Sequence, residues 1–354
     1  MSVYLHGLST ALPSHCLTQA EVRERAGVIF GGKYPQFDRL SKTFDTAGIE
    51  KRYSVVPIDW FSADHGWKDR NEAFIEGAKK LFVTAASAAL DDAGWKSSDV
   101  DCVVTVTSTG IATPSLEAQV FSEMGFREDI MRVPVFGLGC AGGVSGLSTA
   151  QAVAAGRPNQ KVLLVIVEAC SLSFRADRLQ KADIIATVLF GDGAAAACVS
   201  TDVPSNGKCV ALGQGYQKMW PDTLDIMGWD VDEKGFGVVF DRSIPAFVTQ
   251  EFADAAAGAL KAAKLDHAHI DRYVCHPGGA KVVEAIEGAL HLEQGSLDAE
   301  RETLRNAGNM SAPTVMFVMK AVLDAGSTGQ MMSCALGPGF TASFLPFYVS
   351  SQVA

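Results

Sequence analysis

Three side chains that could take part in chemistry lie far apart in this sequence, and each stands close to glycine. Cys140 lies in Gly137-Leu-Gly-Cys-Ala-Gly-Gly143, directly before a predicted helix of small residues. His276 ends an apolar segment in His276-Pro-Gly-Gly279, and Asn309 lies in Asn306-Ala-Gly-Asn-Met-Ser311, before another predicted helix.

The setting of Cys140 favours a reactive thiol. Backbone N–H groups and the positive end of a helix dipole stabilise a thiolate at the start of a helix. Flanking glycines let a bulky thioester approach the backbone closely. The same residues would also fit a tight turn with a buried, inert cysteine, so the local sequence leaves both interpretations open.

His276 and Asn309 each have a purely structural interpretation as well. The histidine could satisfy a turn after a strand, and the asparagine could cap a helix. Taken together with Cys140, they form a Cys-His-Asn set. The thiolate would attack a thioester and hold the acyl group, and imidazole and amide N–H groups would stabilise an enolate oxygen. A cysteine hydrolase would use the same three residues, so the reaction stays open at this point.

An internal duplication indicates which elements hold these residues. The segment around Asp101 resembles the one around Asp271, at an offset of 271 − 101 = 170 residues. Gly156 and Gly326 each end an Ala-containing helix at the same offset, and Gly139 is equally far from Asn309. Cys140 and Asn309 therefore fall within one residue of equivalent positions.

Each copy alternates helices with short apolar strands, which predicts α/β layers with buried sheets. The predicted helices are 78–93, 141–155, 244–263 and 314–325, and the predicted strands are 103–107, 161–167, 194–199, 272–275, 331–335 and 342–349. Residues 200–240 show no clear period and predict turns with a short hairpin. A duplicated α/β chain is expected to place its ligand site where the two copies meet.

Composition excludes several classes of protein. The net charge of −10 argues against sequence-independent nucleic-acid binding. The eight cysteines are scattered without a CxxC pair, so we expect reduced thiols, with no metal site and no disulfide framework. The N-terminal residues do not resemble a signal peptide, and no apolar run could span a bilayer. These features predict a cytoplasmic protein without an integral membrane segment.

Five ordered motifs then give a specific resemblance. Besides the three already described, they are Leu189-Phe-Gly-Asp-Gly-Ala-Ala195 and Leu336-Gly-Pro-Gly339. Over nearly its whole length the chain resembles the type III polyketide synthases, the chalcone synthase-like family of the thiolase superfamily. The beta-ketoacyl-ACP synthases III share the Cys-His-Asn set but usually differ after the histidine, and they are the second candidate.

The resemblance implies a duplicated, five-layered αβαβα fold and a homodimer. Residues 1–205 would form the half that carries the nucleophile, and residues 206–354 the half that carries His276 and Asn309. Cys140 resembles the acyl-carrying nucleophile, and His276 with Asn309 the decarboxylation and oxyanion pair. The substrates would be malonyl-CoA and an acyl-CoA, with no further cofactor.

The resemblance also assigns residues to the substrate cavity and to coenzyme A. Phe190 resembles an aromatic gatekeeper, and a second gatekeeper position falls on Val238, with Phe236 nearby. Predicted cavity residues are Cys170, Ser173, Ser311, Gly337, Pro338 and Gly339. Arg39 and Lys42 match basic residues that contact the CoA phosphates, whereas a third such position is Thr46.

Small lining residues leave volume for a long starter or product. Bacterial members with similar motifs often make alkylpyrones or alkylresorcinols from fatty acyl starters, which is the expected product class. The alternatives are a synthase of the phloroglucinol or tetrahydroxynaphthalene type that uses malonyl-CoA only, and a single condensation of the beta-ketoacyl-ACP synthase III type.

Overall fold

The computed structural model describes residues 2–204 and 209–350 and shows a mixed α/β fold. The strands are β1 Val3–Ala11, β2 His15–Thr18, β3 Lys51–Ser54, β4 Cys102–Thr107, β5 Met131–Phe136, β6 Val162–Ala169, β7 Asp192–Ser200, β8 Cys209–Leu212, β9 Tyr216–Met219, β10 Met227–Asp232, β11 Gly235–Phe240, β12 Arg272–Cys275, β13 Gly329–Gly337 and β14 Thr341–Ser350.

The helices alternate with these strands along most of the chain. They are α1 Gln19–Phe30, α2 Phe37–Ser41, α3 Thr43–Thr46, α4 Trp67–Ala93, α5 Leu116–Gln119, α6 Phe121–Met124, α7 Gly142–Gly156, α8 Lys181–Leu189, α9 Ile244–Ala262, α10 Ala280–Ala289, α11 Asp298–Ala307 and α12 Thr314–Asp324. No helix in the described ranges is both long enough and apolar enough to cross a membrane.

The main sheet has ten strands, and nine of them follow the order β12-β13-β14-β8-β1-β7-β6-β4-β5, with β9 paired to β14. The pairs β4–β5, β4–β6 and β12–β13 are parallel, whereas the remaining pairs are antiparallel. Two small antiparallel sheets, β2–β3 and the hairpin β10–β11, lie outside it. The two halves of the main sheet are joined through β8, which pairs with both β1 and β14.

Alternation of side chains along the strands builds the layers. Val104 and Leu164 contribute to a core that also contains residues of α7 and α12, and Val103 and Leu163 face a second core formed with α4. On the other half, Met332 belongs to a third core with α9 and α10. Because side chains of successive strand residues point to opposite faces, helices cover both faces. The thiolase-like αβαβα fold is confirmed.

The duplication is visible in matching hydrogen bonds. Asp101 Oδ2 accepts a hydrogen bond of 2.8 Å from the backbone N–H of Lys161, which leads into β6. Asp271 Oδ2 accepts one of 2.7 Å from the N–H of Gln330, in β13. In each copy, an aspartate before one parallel strand thus fixes the start of its neighbour.

The predicted elements are present, with shifted ends. The largest difference is α4, which begins at Trp67 rather than at residue 78. Its first turns are rich in charged residues and bury only Arg70, Phe74 and Gly77, so they lack a strong apolar pattern. Between residues 200 and 240 the structure has β8, β9 and the predicted hairpin, β10–β11, while residues 205–208 lie outside the described ranges.

Candidate active site

Cys140 lies in a single turn of 3₁₀ helix, Gly139–Ala141, between β5 and α7. Gly139 has φ of +48°, and a Cβ there would lie 2.5 Å from the Pro338 ring. A Cβ on Gly337 would lie 2.6 Å from the Cβ of Ala141. Glycine is required at both positions, because the Cys140 turn and the β13–β14 turn pack backbone against backbone.

His276 immediately follows β12, and its backbone N–H donates to the carbonyl of Cys334 over 2.8 Å. The side chain is buried, and neither ring nitrogen has a hydrogen-bond partner among the described residues. Burial lowers the pKa of His276 to about 3. The imidazole is therefore neutral in this state, with both nitrogens available for a substrate.

The amide of Asn309 is held in one orientation by two backbone groups. Its Nδ2 donates to the carbonyl of Gly278 over 3.1 Å, and its Oδ1 accepts from the N–H of Ser311 over 2.8 Å. Ser311 itself has φ of +61°, a conformation that costs free energy for a residue with a side chain. The surrounding hydrogen bonds thus fix both residues beside the cysteine.

Cys140, His276 and Asn309 line one small cavity of about 20 Å³. Its other walls are mostly apolar, including Met227, Phe240, Ile244, Phe252 and Leu336. Burial raises the pKa of the Cys140 thiol to about 11, although hydrogen bonds from Ser311 and Asn309 lower it in part. The structure therefore brings the three sequence-predicted residues together, with the sulfur protonated when no substrate is bound.

An outer cavity of about 480 Å³ adjoins this chamber. The two cavities share Phe240, Ile244, Gly278 and Val282 as wall residues, so only these side chains and backbone groups separate the chamber of the sulfur from the outer cavity. Exposed cations also line the outer cavity, namely Lys181, Arg242 and Lys281. An anionic, elongated thioester would fit such an entrance.

Comparison with known proteins gives two family-model matches that together span most of the chain. Residues 2–203 match the N-terminal domain of chalcone and stilbene synthases, and residues 211–346 match the C-terminal domain. The chain belongs to the chalcone and stilbene synthase family of type III polyketide synthases. Members of this family are condensing enzymes of the acyltransferase type, so the chain is an enzyme of that class.

Individual relatives of this type III polyketide synthase agree in length and fold. A 1,3,6,8-tetrahydroxynaphthalene synthase of Streptomyces peucetius is 36% identical, with 95% of this chain and 90% of the relative covered. A putative chalcone synthase of Bacillus subtilis is 32% identical, with 97% and 98% covered. The crystal structure of the tetrahydroxynaphthalene synthase of Streptomyces coelicolor has a TM-score of 0.92 at 28% identity, covering 98% and 99% of the two chains.

The residues predicted to line the polyketide cavity fall into two groups. Ser311, Gly337 and Pro338 lie at the Cys140 turn, and Gly339 follows them with φ of +69°. Cys170, Ser173 and Phe190 instead line a separate apolar cavity of about 50 Å³. Its walls come from α1, α8 and the segment around Phe61, and include Leu17, Val22, Ala26, Ile58, Phe174 and Ala186.

The aromatic partner of Phe190 is a residue that the sequence reasoning missed. The rings of Phe190 and Trp229 meet edge to face with centroids 6.4 Å apart. Trp229 donates its indole N–H to the carbonyl of Ser108 over 2.8 Å and stacks on Phe236. Val238, the predicted gatekeeper position, is buried directly across the hairpin from Trp229. The concentration of aromatic residues in 200–240 is the sequence feature that could have indicated an aromatic partner for Phe190.

Arg39 and Lys42 are exposed on and just after α2. Their neighbours Leu40, Thr43 and Thr46 line the outer cavity, whereas these two cations do not. Their contact with coenzyme A therefore stays a prediction.

Proposed function

We propose that this type III polyketide synthase extends an acyl-CoA starter with malonyl-CoA units on Cys140 and then cyclises the chain. The observation that carries the proposal is the shared cavity of Cys140, His276 and Asn309, which come from three distant parts of the sequence. Its geometry suits a sulfur nucleophile flanked by two N–H donors.

In the first step, the Cys140 sulfur attacks the starter thioester while its proton passes to His276. The carbon–sulfur bond to coenzyme A breaks, and the departing thiolate takes the proton back from the imidazolium. The products are acylated Cys140, free CoA thiol and neutral His276. A neutral imidazole is the form that can accept this proton, in agreement with its lowered pKa.

In the second step, malonyl-CoA loses carbon dioxide, and the electron pair of the broken carbon–carbon bond forms an enolate. Its oxygen accepts hydrogen bonds from the His276 ring and from Asn309 Nδ2. The enolate carbon attacks the acyl carbonyl, and the Cys140 sulfur leaves as a thiolate, which takes up a proton from solvent before the next acylation. The result is a β-ketoacyl-CoA that is two carbons longer. An amide suits this position better than a carboxylate, which would repel the developing negative charge.

The apolar cavity lined by Cys170, Ser173 and Phe190 supports a fatty acyl starter. Most of its wall is aliphatic or aromatic, and its wall residue Cys170 lies near enough to Cys140 for the two sulfurs to interact electrostatically. A starter made only of malonyl units has no apolar tail to fill such a space. The expected products are therefore alkylpyrones or alkylresorcinols.

The starter is tested with a mixed pool of acyl-CoAs from two to sixteen carbons, malonyl-CoA and mass spectrometry of the products. We expect products of at least two extensions on long-chain starters. Ala26→Leu should narrow the apolar cavity and shift the preferred starter to shorter chains, because Ala26 is buried in its wall. Ala20→Leu, on the exposed side of the same helix, is the matched control. Exclusive use of acetyl- or malonyl-CoA starters would rule out the fatty acyl version.

A malonyl-only synthase is the second candidate, and the similarity to the tetrahydroxynaphthalene synthase of Streptomyces peucetius favours it. In that case malonyl-CoA alone would give an aromatic product at full rate. A single condensation would instead stop at one extension and require malonyl-ACP. Product mass separates all three possibilities.

We also propose that the outer cavity admits the CoA thioesters and that Lys181, Arg242 and Lys281 contribute to binding the phosphates, alongside Arg39 and Lys42. All five side chains are exposed, so each phosphate contact is expected to be weakened by salt. A homodimer, as the resemblance implies, is part of the same proposal.

A further inference from the structure

Arg52, in β3, is a buried cation that has no carboxylate partner among the described residues. Its side chain is 3% exposed. The guanidinium donates only to backbone carbonyls: Nη1 to Thr187 over 2.6 Å and to Phe190 over 3.3 Å, and Nη2 to Val188 over 2.8 Å. Burial lowers its pKa to about 9. Burying an unpaired charge is costly, which calls for a specific role.

These three carbonyls belong to the end of α8, Lys181–Leu189, and to the residue after it. The last carbonyls of a helix have no partner within the helix, and they carry the negative end of its dipole. A guanidinium with several donors in one plane satisfies them together. Arg52 therefore fixes the position of the last turn of α8 and of Phe190.

The same turn of α8 holds the backbone of Asn309. The N–H of Asn309 donates to the carbonyl of Leu189 over 2.8 Å, and the N–H of Gly191 donates to the carbonyl of Asn309 over 3.0 Å. These two bonds form a short β-bridge between Phe190 and Asn309.

The Cβ of Arg52 packs against the backbone on both sides of this bridge. A Cβ on Gly191 would lie 3.1 Å from the Arg52 Cβ, and a Cβ on Gly308 would lie 3.3 Å from it. Arg52, the end of α8 and the Gly308–Asn309 backbone thus form one closely packed unit, with little room for displacement.

We propose that Arg52 is a positioning residue for decarboxylation: it holds the amide of Asn309 at the enolate site through the end of α8. This inference rests on the proposed function. Acylation of Cys140 uses chiefly the cysteine and His276, which are held by the start of α7 and by β12, and Arg52 bonds to neither. Asn309 contributes to that step only a secondary hydrogen bond to the sulfur. Loss of Arg52 should therefore affect decarboxylation more than acyl loading.

The experiment compares two rates in wild type, Arg52→Met and Arg52→Lys. Decarboxylation is measured as acetyl-CoA formed from malonyl-CoA. Loading is measured as the mass increase of the protein with acetyl-CoA, whose short acyl group does not need the apolar cavity that Arg52 partly lines. We expect Arg52→Met to lose about 100-fold in decarboxylation, the size of effect typical of a catalytic group displaced by about 1 Å. Arg52→Lys should recover part of this loss, because its ammonium can still donate to the carbonyls. Loading should change by less than about threefold.

Arg70→Lys is the matched control for a purely structural effect. Arg70 is also buried and donates only to backbone carbonyls, of His65, Leu172 and Phe174, but none of them belongs to the Asn309 bridge. Any effect of Arg70→Lys should reduce both rates together. If Arg52→Lys also reduces both rates equally, or reduces neither, the inference is wrong. If Arg52→Met is insoluble, the two rates of Arg52→Lys are sufficient to test the inference.

Asn309→Ala separates this inference from the proposed function. If Arg52 acts through Asn309, Arg52→Lys should add little further loss of decarboxylation in the Asn309→Ala background. Wild type that fails to decarboxylate malonyl-CoA, or Asn309→Ala that does so at full rate, contradicts the proposed function itself. A decarboxylation that needs Asn309 but not Arg52 contradicts only the inference.

Discussion

Cys140 and His276 lie in a chamber with mostly apolar walls, and their protonation follows from that environment. Burial disfavours the charged form of each group, which raises the pKa of the thiol to about 11 and lowers that of the imidazole to about 3. A thiolate and an imidazolium formed together would stabilise each other. We therefore expect Cys140 to depend on His276 as its proton acceptor.

Alkylation of Cys140 by iodoacetamide tests this dependence, followed by mass spectrometry of the Cys140 peptide to separate it from the exposed Cys16. In His276→Ala the thiol must ionise alone, so the rate should rise about tenfold per pH unit from pH 7 until it levels near the thiol pKa. Wild type should react faster at pH 7 and depend less on pH, because the proton can move to the ring. Identical pH profiles for the two proteins would show that His276 does not take the proton.

At the scale of elements, the turn after β13 and the turn before α7 determine the position of the nucleophile. Gly139 and Gly337 allow the two backbones to touch, and Pro338 fills the space beside Gly139. The motif near residue 337 therefore acts on the cysteine through packing, in addition to any effect on cyclisation.

Gly337→Ala tests this packing. The added methyl would lie 2.6 Å from both the Cβ of Ala141 and the carbonyl oxygen of Leu138, so the Cys140 turn must move. We expect slower acyl loading and a loss of about 1–3 kcal/mol in unfolding free energy. Gly288→Ala, in open space on α10, is the control and should be neutral or stabilise by up to about 1 kcal/mol. Normal loading by Gly337→Ala would contradict the packing argument.

A second contact between elements joins α11 to β12 just before His276. Glu300 is fully buried, accepts the N–H of Cys275 over 2.9 Å and lies 3.2 Å from Arg272 Nη2. Burial outweighs the arginine and raises the pKa of Glu300 to about 7. A raised pKa in the folded state means that this carboxyl stabilises the fold at low pH. This contribution of the protonated Glu300 to the free energy of unfolding is lost as pH rises from about 4.5 to about 7.

Urea unfolding of wild type and Glu300→Gln at several pH values measures this contribution. The stability of wild type relative to Glu300→Gln should fall by about 3 kcal/mol between pH 4.5 and pH 7, because glutamine does not titrate. A relative stability that increases with pH would show that the ion pair with Arg272 dominates instead.

At the scale of the whole molecule, β5 is one of the two end strands of the main sheet, and β12 is the other. Met131, Val133 and Val135 on β5 pack against the central core, whereas Phe136 is 54% exposed. An edge strand leaves backbone groups unpaired, so it is a natural place for a second copy to bind. The proposed homodimer would cover this edge.

Light scattering after size exclusion should give a mass of twice 37.5 kDa for the wild type. Phe136→Asp should reduce the dimer fraction, because a carboxylate would be buried in the interface. Leu224→Asp, at another exposed apolar position outside β5 that is 78% exposed, should leave the mass unchanged. A wild-type mass of one chain would contradict the homodimer.

The sequence by itself determined the three residues of the candidate site, the duplication and most of the elements. The motifs around Cys140, His276 and Asn309 can be recognised from sequence because each needs glycine for close approach or an unusual backbone conformation. That requirement appears in the residues directly beside each site residue. Strands such as Arg272–Cys275 can be predicted from sequence because apolar runs bounded by polar residues indicate buried strands.

Only the tertiary structure decided that Trp229 faces Phe190, that Arg52 supports the Asn309 bridge and that Cys170 and Ser173 open onto a separate apolar cavity. Each of these contacts joins segments that are far apart in the chain and have no shared period. The pairing depends on how the layers pack, and a surface arginine and a buried one look alike in sequence. Long-range packing, rather than local propensity, sets the shape of the site.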